Sequence, residues 1–533
     1  MQLFLAALAL CAGPTTGPDT VVVCPLPFLR VLDPWIAHRE RQGHRLALVS
    51  NLLSPAEIRD AIRAAAKPGR LRYVLLIGDA EPAADQDPEI RARCTPTYLA
   101  KAKVNIRWGS APEIATDSWY ADLDDDQVPD VAIGRIPADT PEELALMVAK
   151  ILRYEAPSGH GEWQRQIHVV AGVGGFGTLT DSVLELATKK FLTEGIPAAY
   201  RTSMTYGSWQ SPYCPDPRLF HAVTVERLNE GGLLWVYIGH GQIGNLAAIH
   251  VPGGAFPILN ANEAKRLQCP QGFPVAVLLA CYAGAFDQPD DCLAEELLKS
   301  PGGPAAVLCG SRVTMPYAMA VMSEALLEEC FRQRRPTLGE VLLQAKRRMA
   351  TVDSTSDNRQ LLDALAAAFS PSADQLQEER LEHILLFNLL GDPLLRLAYP
   401  QDIEVQTAGE ITAGESLSIV GRCPLAGSGV IELVCRRDRM TATPPTRQRF
   451  YPTDAFLRSF DAVYEQANDG VWISQPFSTA GGGFQAELPV PADSRGPCHI
   501  RVFLKGSEDV AIGAANVFVR RPREEREVAA RRN

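Results

Sequence analysis

A cysteine and a histidine each follow a continuous apolar run, the kind of sequence that forms a strand buried on both faces. His240 comes after such a run in LLWVYIGHGQIG (233–244), and Cys281 comes after another in LLACYAGAFD. The two are 41 residues apart, which leaves room for one crossover helix and its loops. Because neighbouring parallel strands end at one sheet edge, we predict that a thiol nucleophile and its imidazole base meet there.

Two glycines, Gly239 and Gly241, flank the histidine. Glycine lets the backbone approach a substrate closely, and an exposed N–H next to His240 could face a developing oxyanion. Taken singly, His240 is typical of a loop after a core strand, and Cys281 is typical of a buried thiol. Their shared position at strand ends favours the catalytic interpretation.

The elements that must position these residues alternate between strand and helix from about Thr20 to Tyr399. Ser54 and Thr140 are predicted helix N-caps, since each is followed by proline and then by glutamate at the third position after the cap. Apolar strands alternating with helices predict an α/β fold with a mostly parallel sheet and helices on both faces. After Pro400, short alternating runs broken by Gly, Pro and Asp predict a C-terminal immunoglobulin-like β-sandwich.

A chain of 533 residues is too long for a single hydrophobic core. We predict a signal peptide at 1–18, an N-terminal α/β subdomain at 19–160, a catalytic subdomain at 161–400, the sandwich at 401–522 and a charged tail at 523–533. The run from Leu3 to Gly13 is too short to span a bilayer but has the length of a signal-peptide core. It indicates a secreted or cell-envelope protein, with a cytoplasmic protein whose first strand begins early as the alternative.

Charge and cysteine usage narrow the function classes further. The net charge of −11 argues against a nucleic-acid partner. The twelve cysteines include no CxxC pair and none at zinc spacing with histidine, so most are predicted to be buried thiols. In an exported chain a bridge among Cys423, Cys435 and Cys498 is open, and the sequence does not choose the pair.

Several segments together resemble one family. The Ala-Cys-x-Gly core of the caspase signature, with its histidine about 50 residues upstream, is similar to ACYAG, although here one residue is inserted before the glycine. In order along about 320 residues, five segments resemble the gingipain family of cysteine peptidases, relatives of the caspases. They are VLLIGDAEP (74–82), DSWYADLDDDQVPDVAIGRIP (117–137), YIGHG, LLACYAGAFD and LLFNLLGDPLLRL (385–397).

The resemblance implies a caspase-like sheet and an endopeptidase that acts on polypeptides. It implies Cys281 as nucleophile, His240 as acid and base, and the N–H groups of Gly241 and Cys281 as the oxyanion hole. It also places Asp130, in PDVAIGR, near His240, where arginine-specific members carry glutamate. The shorter aspartate has less reach, and the alternative is a turn residue after Pro129. No cofactor is required for this chemistry, and the oligomeric state is not readable.

An acidic run suggests a metal. Asp122, Asp124 and Asp126 alternate like the start of a calcium loop, but Gln127 and Ile133 stand where an EF-hand needs Gly and Glu. Such dense oxygen ligands could still hold one structural Ca²⁺, and the resemblance also implies calcium. The alternative is a solvated acidic turn.

Other functions remain as alternatives to the peptidase. A transpeptidase of the same fold would use an amine in place of water, and an inactive binding scaffold would not need His240 and Cys281. GVGGFG (172–177) fits a dinucleotide fingerprint, but the predicted helix starts only near Thr180, so no bound cofactor is expected. Asp139, Glu142 and Glu143 could form an acidic specificity pocket, although the first turn of a helix suits them better.

Overall fold

The computed structural model describes residues 17–172, 195–352, 355–370 and 373–522. The predicted signal peptide lies outside these residues except for positions 17 and 18, and the charged tail lies wholly outside them. Positions 173–177 of the glycine-rich loop also lie outside them. In the part of the chain that is described, no helix has the length and apolar character needed to cross a bilayer.

The strands of the described chain are numbered here in chain order. Those before position 260 are Thr20–Cys24 (β1), Leu46–Ser50 (β2), Tyr73–Ile77 (β3), Tyr98–Lys101 (β4), Glu113–Thr116 (β5), Ala132–Ile136 (β6), Gln166–Ala171 (β7), Arg201–Tyr206 (β8), Leu234–Ile238 (β9), Ala248–Val251 (β10) and Gly254–Pro257 (β11). Those after it are Val275–Leu279 (β12), Ala306–Gly310 (β13), Phe387–Leu390 (β14), Gln401–Asp402 (β15), Glu404–Thr407 (β16), Glu410–Thr412 (β17), Ser416–Cys423 (β18), Gly427–Cys435 (β19), Val471–Thr479 (β20), Gly482–Pro489 (β21), Gly496–Lys505 (β22) and Val510–Arg520 (β23).

The α-helices of the same residues are numbered in the same way. They are Leu29–Arg41 (α1), Pro55–Ala66 (α2), Pro88–Arg93 (α3), Ser118–Ala121 (α4), Pro141–Tyr154 (α5), Phe220–Asn229 (α6), Ala261–Ala264 (α7), Leu293–Lys299 (α8), Pro316–Leu327 (α9), Leu338–Ala350 (α10), Asp357–Phe369 (α11), Leu376–Leu386 (α12) and Asp454–Asn468 (α13).

A ten-stranded sheet, in the order β2-β1-β3-β6-β14-β13-β12-β9-β7-β8, forms the centre of the molecule. Eight of its nine pairings are parallel, which confirms the predicted mostly parallel sheet. The exception is the antiparallel pair β13–β14. The sheet therefore consists of two five-stranded parallel halves that run in opposite directions, and β14 joins the half formed by the N-terminal strands.

Burial and capping explain why these segments adopt their elements. Every residue of β1, β3, β6, β12 and β13 is buried, as expected for strands covered on both faces. The Ser54 hydroxyl accepts from the Glu57 N–H and the Glu57 carboxylate accepts from the Ser54 N–H, which is a capping box. Thr140 caps α5 in the same manner by accepting from the Glu143 N–H.

The C-terminal region contains two further sheets that face each other, which confirms the predicted sandwich. The larger one has the order β15-β23-β22-β19-β20 with β17 beside β23, and the smaller one has the order β16-β18-β21. Ile419 and Leu488 of the smaller sheet and Leu433 and Ile500 of the larger one belong to one buried cluster between them. An immunoglobulin-like type stays a prediction.

The helix α13 interrupts the sandwich between β19 and β20 and was not foreseen in the alternating pattern. Its residues Leu457 and Phe460 are buried in the same cluster as the apolar residues of the ten-stranded sheet. Phe503 and Ile512, from β22 and β23, belong to that cluster too. The C-terminal unit is therefore packed into the core of the first one.

Arg135, the arginine of the IGRIP segment, is a structural residue at the centre of the sheet. It is fully buried, and its Nε and Nη2 atoms each donate to one Asp117 carboxylate oxygen at 2.8 Å. Its Nη1 atom donates to the carbonyl oxygens of Gly78 and Thr95 at 2.7 Å. One side chain thus ties together the segments that adjoin β3, β4 and β5.

Replacing this side chain should destabilise the protein strongly. Arg135→Met leaves the buried Asp117 carboxylate without its counter-ion, so we expect a loss of about 3–5 kcal/mol in the free energy of unfolding, measured by urea denaturation. Arg436→Met is the matched control because Arg436 pairs with Asp438 at the surface, where such pairs contribute about 0–1 kcal/mol. Equal losses in the two variants would contradict this assignment.

Candidate active site

His240 lies in a loop that is fixed by its own backbone. The His240 carbonyl oxygen accepts from the Tyr237 hydroxyl at 2.8 Å and from the Ala247 N–H at 3.0 Å. A Cβ on Gly239 would lie 2.7 Å from the Tyr237 hydroxyl oxygen, so only glycine fits this turn. The imidazole is partly exposed at the end of β9.

Cys281 differs from the other cysteines of the described chain by its exposure. Ten of the eleven cysteines there are buried, and Cys281 alone is partly exposed. Burial raises the pKa of the others, for example that of Cys24 to about 12, so that their thiolates are scarce. Cys281 is therefore the thiol that an electrophilic substrate can reach.

The backbone turns sharply directly after the cysteine. Tyr282 has φ of 56°, and only three other non-glycine residues of the described chain have a positive φ. The Tyr282 N–H donates to the Arg312 carbonyl oxygen at 3.1 Å, and the Tyr282 hydroxyl accepts from the Ala111 N–H at 2.9 Å. These contacts hold a conformation that costs energy, which is a common feature of residues that present a nucleophile.

The histidine and the cysteine leave the sheet side by side. The strands β9 and β12 pair in parallel, with Ile238 opposite Leu279, so His240 and Cys281 each come two residues after a matched pair. The Gly239 N–H donates to the Leu279 carbonyl oxygen at 3.2 Å, which extends this pairing into the loops. The predicted meeting of the two residues at one sheet edge agrees with this arrangement.

Gly241 is packed directly against the cysteine backbone. A Cβ there would lie 2.7 Å from the Cys281 carbonyl oxygen and 3.5 Å from the Cys281 nitrogen. Within the described part of the chain, neither the Gly241 N–H nor the Cys281 N–H donates a hydrogen bond. Two close backbone donors are thus available beside the thiol, as an oxyanion requires.

Thr314, which we did not predict from the sequence, contacts the sulfur. Its N–H donates to the Cys281 Sγ at 3.3 Å, and its hydroxyl oxygen lies 3.6 Å from the same atom. Thr314 follows β13, the neighbour of β12, so the signal available in the sequence was a polar residue after the next parallel strand. Arg312, which is also after β13, is held by Asp287 through two hydrogen bonds.

The structure does not bring Asp130 to His240. Asp130 precedes β6, whose amino end lies at the edge where β9 ends, but β14, β13 and β12 stand between the two strands. Four strand spacings amount to about 19 Å, far beyond hydrogen-bond range. The Asp130 carboxylate instead accepts from the Leu123 N–H at 2.7 Å, and it lies 3.7 Å from Arg347.

The acidic run forms a cluster different from the predicted one. One carboxylate oxygen from each of Asp122, Asp124 and Asp130 lies within 4.8 Å of the others. Asp126, predicted as a ligand, is not among them and accepts from the Val128 N–H. Burial raises the pKa of Asp130, and the charges of Asp124 and Asp126 add to this effect.

The acids after β6 do not line the site. Asp139 accepts from Arg93 at 2.7 Å and from Lys299 at 2.6 Å. It follows the carboxyl end of β6, which is the sheet edge opposite to Cys281. Glu142 and Glu143 lie in the first turn of α5, where the helix dipole stabilises acidic side chains.

Three solved structures with a similar fold are distant in sequence. A crystal structure of the Arg-specific cysteine proteinase gingipain R is 15% identical, with a TM-score of 0.52, over 96% of this chain and all of that one. A complex of the pro- and mature domains of Porphyromonas gingivalis RgpB is 15% identical, with a TM-score of 0.51, over 94% of this chain and all of that one. A third structure, of a protease, is 15% identical, with a TM-score of 0.52, over 93% of this chain and 97% of that one. At this identity the likeness shows the fold, and no curated protein is matched by sequence.

A family comparison carries the assignment beyond the fold. Residues 13–398 match the sequence pattern of peptidase family C25. The match covers well over half of the chain and includes both His240 and Cys281. The segments that resemble the gingipains fall inside the same range. The chain belongs to peptidase family C25 and is a gingipain-like cysteine peptidase.

Proposed function

We propose that the protein is an endopeptidase of gingipain type, which cleaves polypeptides through an acyl-enzyme on Cys281. The single observation that carries this proposal is the placement of the one partly exposed described thiol next to the histidine loop, at matched ends of β9 and β12. Thiolates are far better nucleophiles than thiols, and a neighbouring imidazole favours the thiolate.

In the acylation half, His240 accepts the Cys281 proton and the sulfur attacks the scissile carbonyl carbon. The carbonyl oxygen becomes an oxyanion that accepts from the N–H groups of Gly241 and Cys281. As the tetrahedral species collapses, the imidazolium of His240 donates its proton to the leaving nitrogen, and the C–N bond breaks. A thioester on Cys281 and a free amine result.

In the deacylation half, His240 acts as a base on water. The oxygen attacks the thioester carbon, the same two N–H groups stabilise the second oxyanion, and the C–S bond breaks. The sulfur leaves as a thiolate and regains a proton from His240. The thiolate contacts of Thr314 fit a role in holding the sulfur between these steps.

Cys281→Ala should abolish peptide cleavage, because the acyl-enzyme cannot form. We expect the wild type to cleave part of a fluorogenic peptide set varied at the residue before the scissile bond, and the variant to cleave none of it. Cys309→Ala is the control, since this buried thiol lies within the neighbouring strand β13. Mass analysis of the products with an added amine separates hydrolysis from transpeptidation. A wild type as inert as Cys281→Ala across the set would favour the scaffold.

Thr314→Val should slow the reaction of Cys281 with iodoacetamide in the native protein. The substitution removes the hydroxyl 3.6 Å from the sulfur, and the loss of one hydrogen bond of about 0.5–1.5 kcal/mol corresponds to a rate about twofold to tenfold lower at pH 7. Thr314→Ser keeps the hydroxyl and should react like the wild type. The Cys281→Ala protein gives the background from other thiols. Equal rates for the valine variant and the wild type would remove Thr314 from the site.

We also propose that Asp122, Asp124 and Asp130 hold a structural Ca²⁺. Carboxylate oxygens are the ligands that calcium prefers, and three of them converge here. Burial raises the pKa of Asp130 and the negative charges of Asp124 and Asp126 raise it further, so a cation among these oxygens would relieve their repulsion. Asp122 also pairs with Arg59 at 3.2 Å, so the ion would share this carboxylate. Because the carboxylates must be ionised to bind, affinity should fall as the pH is lowered through the Asp130 pKa.

Calcium should raise the midpoint of thermal unfolding relative to protein kept in EDTA. An ion present at 100 times its Kd stabilises the folded state by about 2.7 kcal/mol. Asp124→Asn should remove this difference. Asp126→Asn should keep it, because Asp126 lies outside the cluster. Midpoints that do not respond to calcium, or that respond equally poorly in both variants, would contradict the site.

A further inference from the structure

Two cysteines of the sandwich stand directly opposite each other. In the antiparallel pair of β19 and β22, Cys435 is the register partner of Cys498. The next pair along is hydrogen-bonded, since the Arg436 N–H donates to the Pro497 carbonyl oxygen at 3.0 Å. Because such pairs alternate, the two cysteines form a non-hydrogen-bonded pair, whose Cα atoms are about 4.5 Å apart.

This spacing falls within the range of about 4.4–6.8 Å that disulfides span between Cα atoms. Directly opposite residues also point their side chains to the same face of a sheet, so the two sulfurs can meet. Each sulfur now lies near a carbonyl oxygen, that of Arg439 for Cys435 and that of Arg495 for Cys498. A bond between them needs side-chain rotation and no movement of the strands.

The third cysteine of the sandwich is differently placed. Cys423 ends β18 in the smaller sheet and stands opposite Gly482. No cysteine is the register partner of Cys423, whereas Cys435 and Cys498 stand directly opposite each other on neighbouring strands. The strand register therefore selects one pair among the three that the sequence left open.

We propose that Cys435 and Cys498 form a disulfide. It links the end of β19, where the chain leaves the sandwich toward α13, to the strand β22. The two thiols lose their hydrogens and form the S–S bond, and a small-molecule disulfide is reduced to two thiols. The site suits an oxidising compartment, in agreement with the predicted export.

The position of the bond gives it a structural role. The strand β19 ends at Cys435, and the chain then leaves the sandwich until β20 begins at Val471. In between, Arg437 donates to the carbonyl oxygens of Pro197 and Tyr200 at 2.8 Å, and α13 is buried against the first unit. A bond to β22 fixes the point at which this connection departs.

The bond is expected to form while the chain folds. In the folded protein burial raises the pKa of Cys435 to about 11 and that of Cys498 to about 12. Thiolates, the reactive form, are therefore scarce at neutral pH, and both sulfurs are shielded from bulky oxidants. Oxidation of a fully packed, reduced protein should be slow for the same reason.

Peptide mapping of the whole chain tests the pair. The reduced, denatured protein is refolded with reduced and oxidised glutathione, blocked with iodoacetamide and digested without reduction. We expect one cross-linked peptide pair containing Cys435 and Cys498 in the wild type and in Cys423→Ala, and none in Cys498→Ala. In thermal unfolding, reductant should lower the midpoint of the first two proteins by several degrees and leave that of Cys498→Ala unchanged.

The wild-type map alone decides the proposal, so it does not depend on whether a variant folds. Soluble monomer that carries iodoacetamide on all three sandwich cysteines would overturn it. A cross-link between Cys423 and either of the other two would overturn it as well.

Discussion

The in-register parallel pairing of β9 with β12 is the constraint on which the candidate active site depends. Both strands end at the same level, so the residues two positions beyond, His240 and Cys281, emerge together. The surrounding contacts preserve this alignment. Gly241 lies against the cysteine backbone, and Thr314 extends the arrangement to the next strand, β13. A shift of the register by one residue would invert the side chains and separate the pair.

The reversal between β13 and β14 shapes the rest of the molecule. It brings the amino ends of the N-terminal strands to the edge where His240 and Cys281 lie, and it places their carboxyl ends at the opposite edge. Asp130 therefore lies at the correct edge but four strands from His240. Arg135 lies near the carboxyl end of β6, and its pair with Asp117 is part of the sheet and not a ligand site.

The sequence was sufficient for features set by local patterns. Apolar runs located the strands, caps located α2 and α5, and the ends of two runs gave His240 and Cys281. Features that depend on the order of strands across the sheet could not be predicted from the sequence, because no local pattern encodes which strands pair with each other. Asp130 was misplaced for that reason, and Thr314 was missed for it. Asp126 lies outside the carboxylate cluster because the backbone reverses at Asp125 and Gln127, a turn that alternate spacing along the sequence does not describe.

The placement of α13 has a consequence for how this protein is assembled. A sandwich domain whose hydrophobic core is separate from that of the preceding enzyme domain can be exchanged or lost, because each domain folds around its own core. Here Leu457 and Phe460, encoded within the sandwich, fill the interior of the peptidase unit. The core of the peptidase unit is thus completed by residues of α13, and it cannot close during synthesis until that helix has left the ribosome.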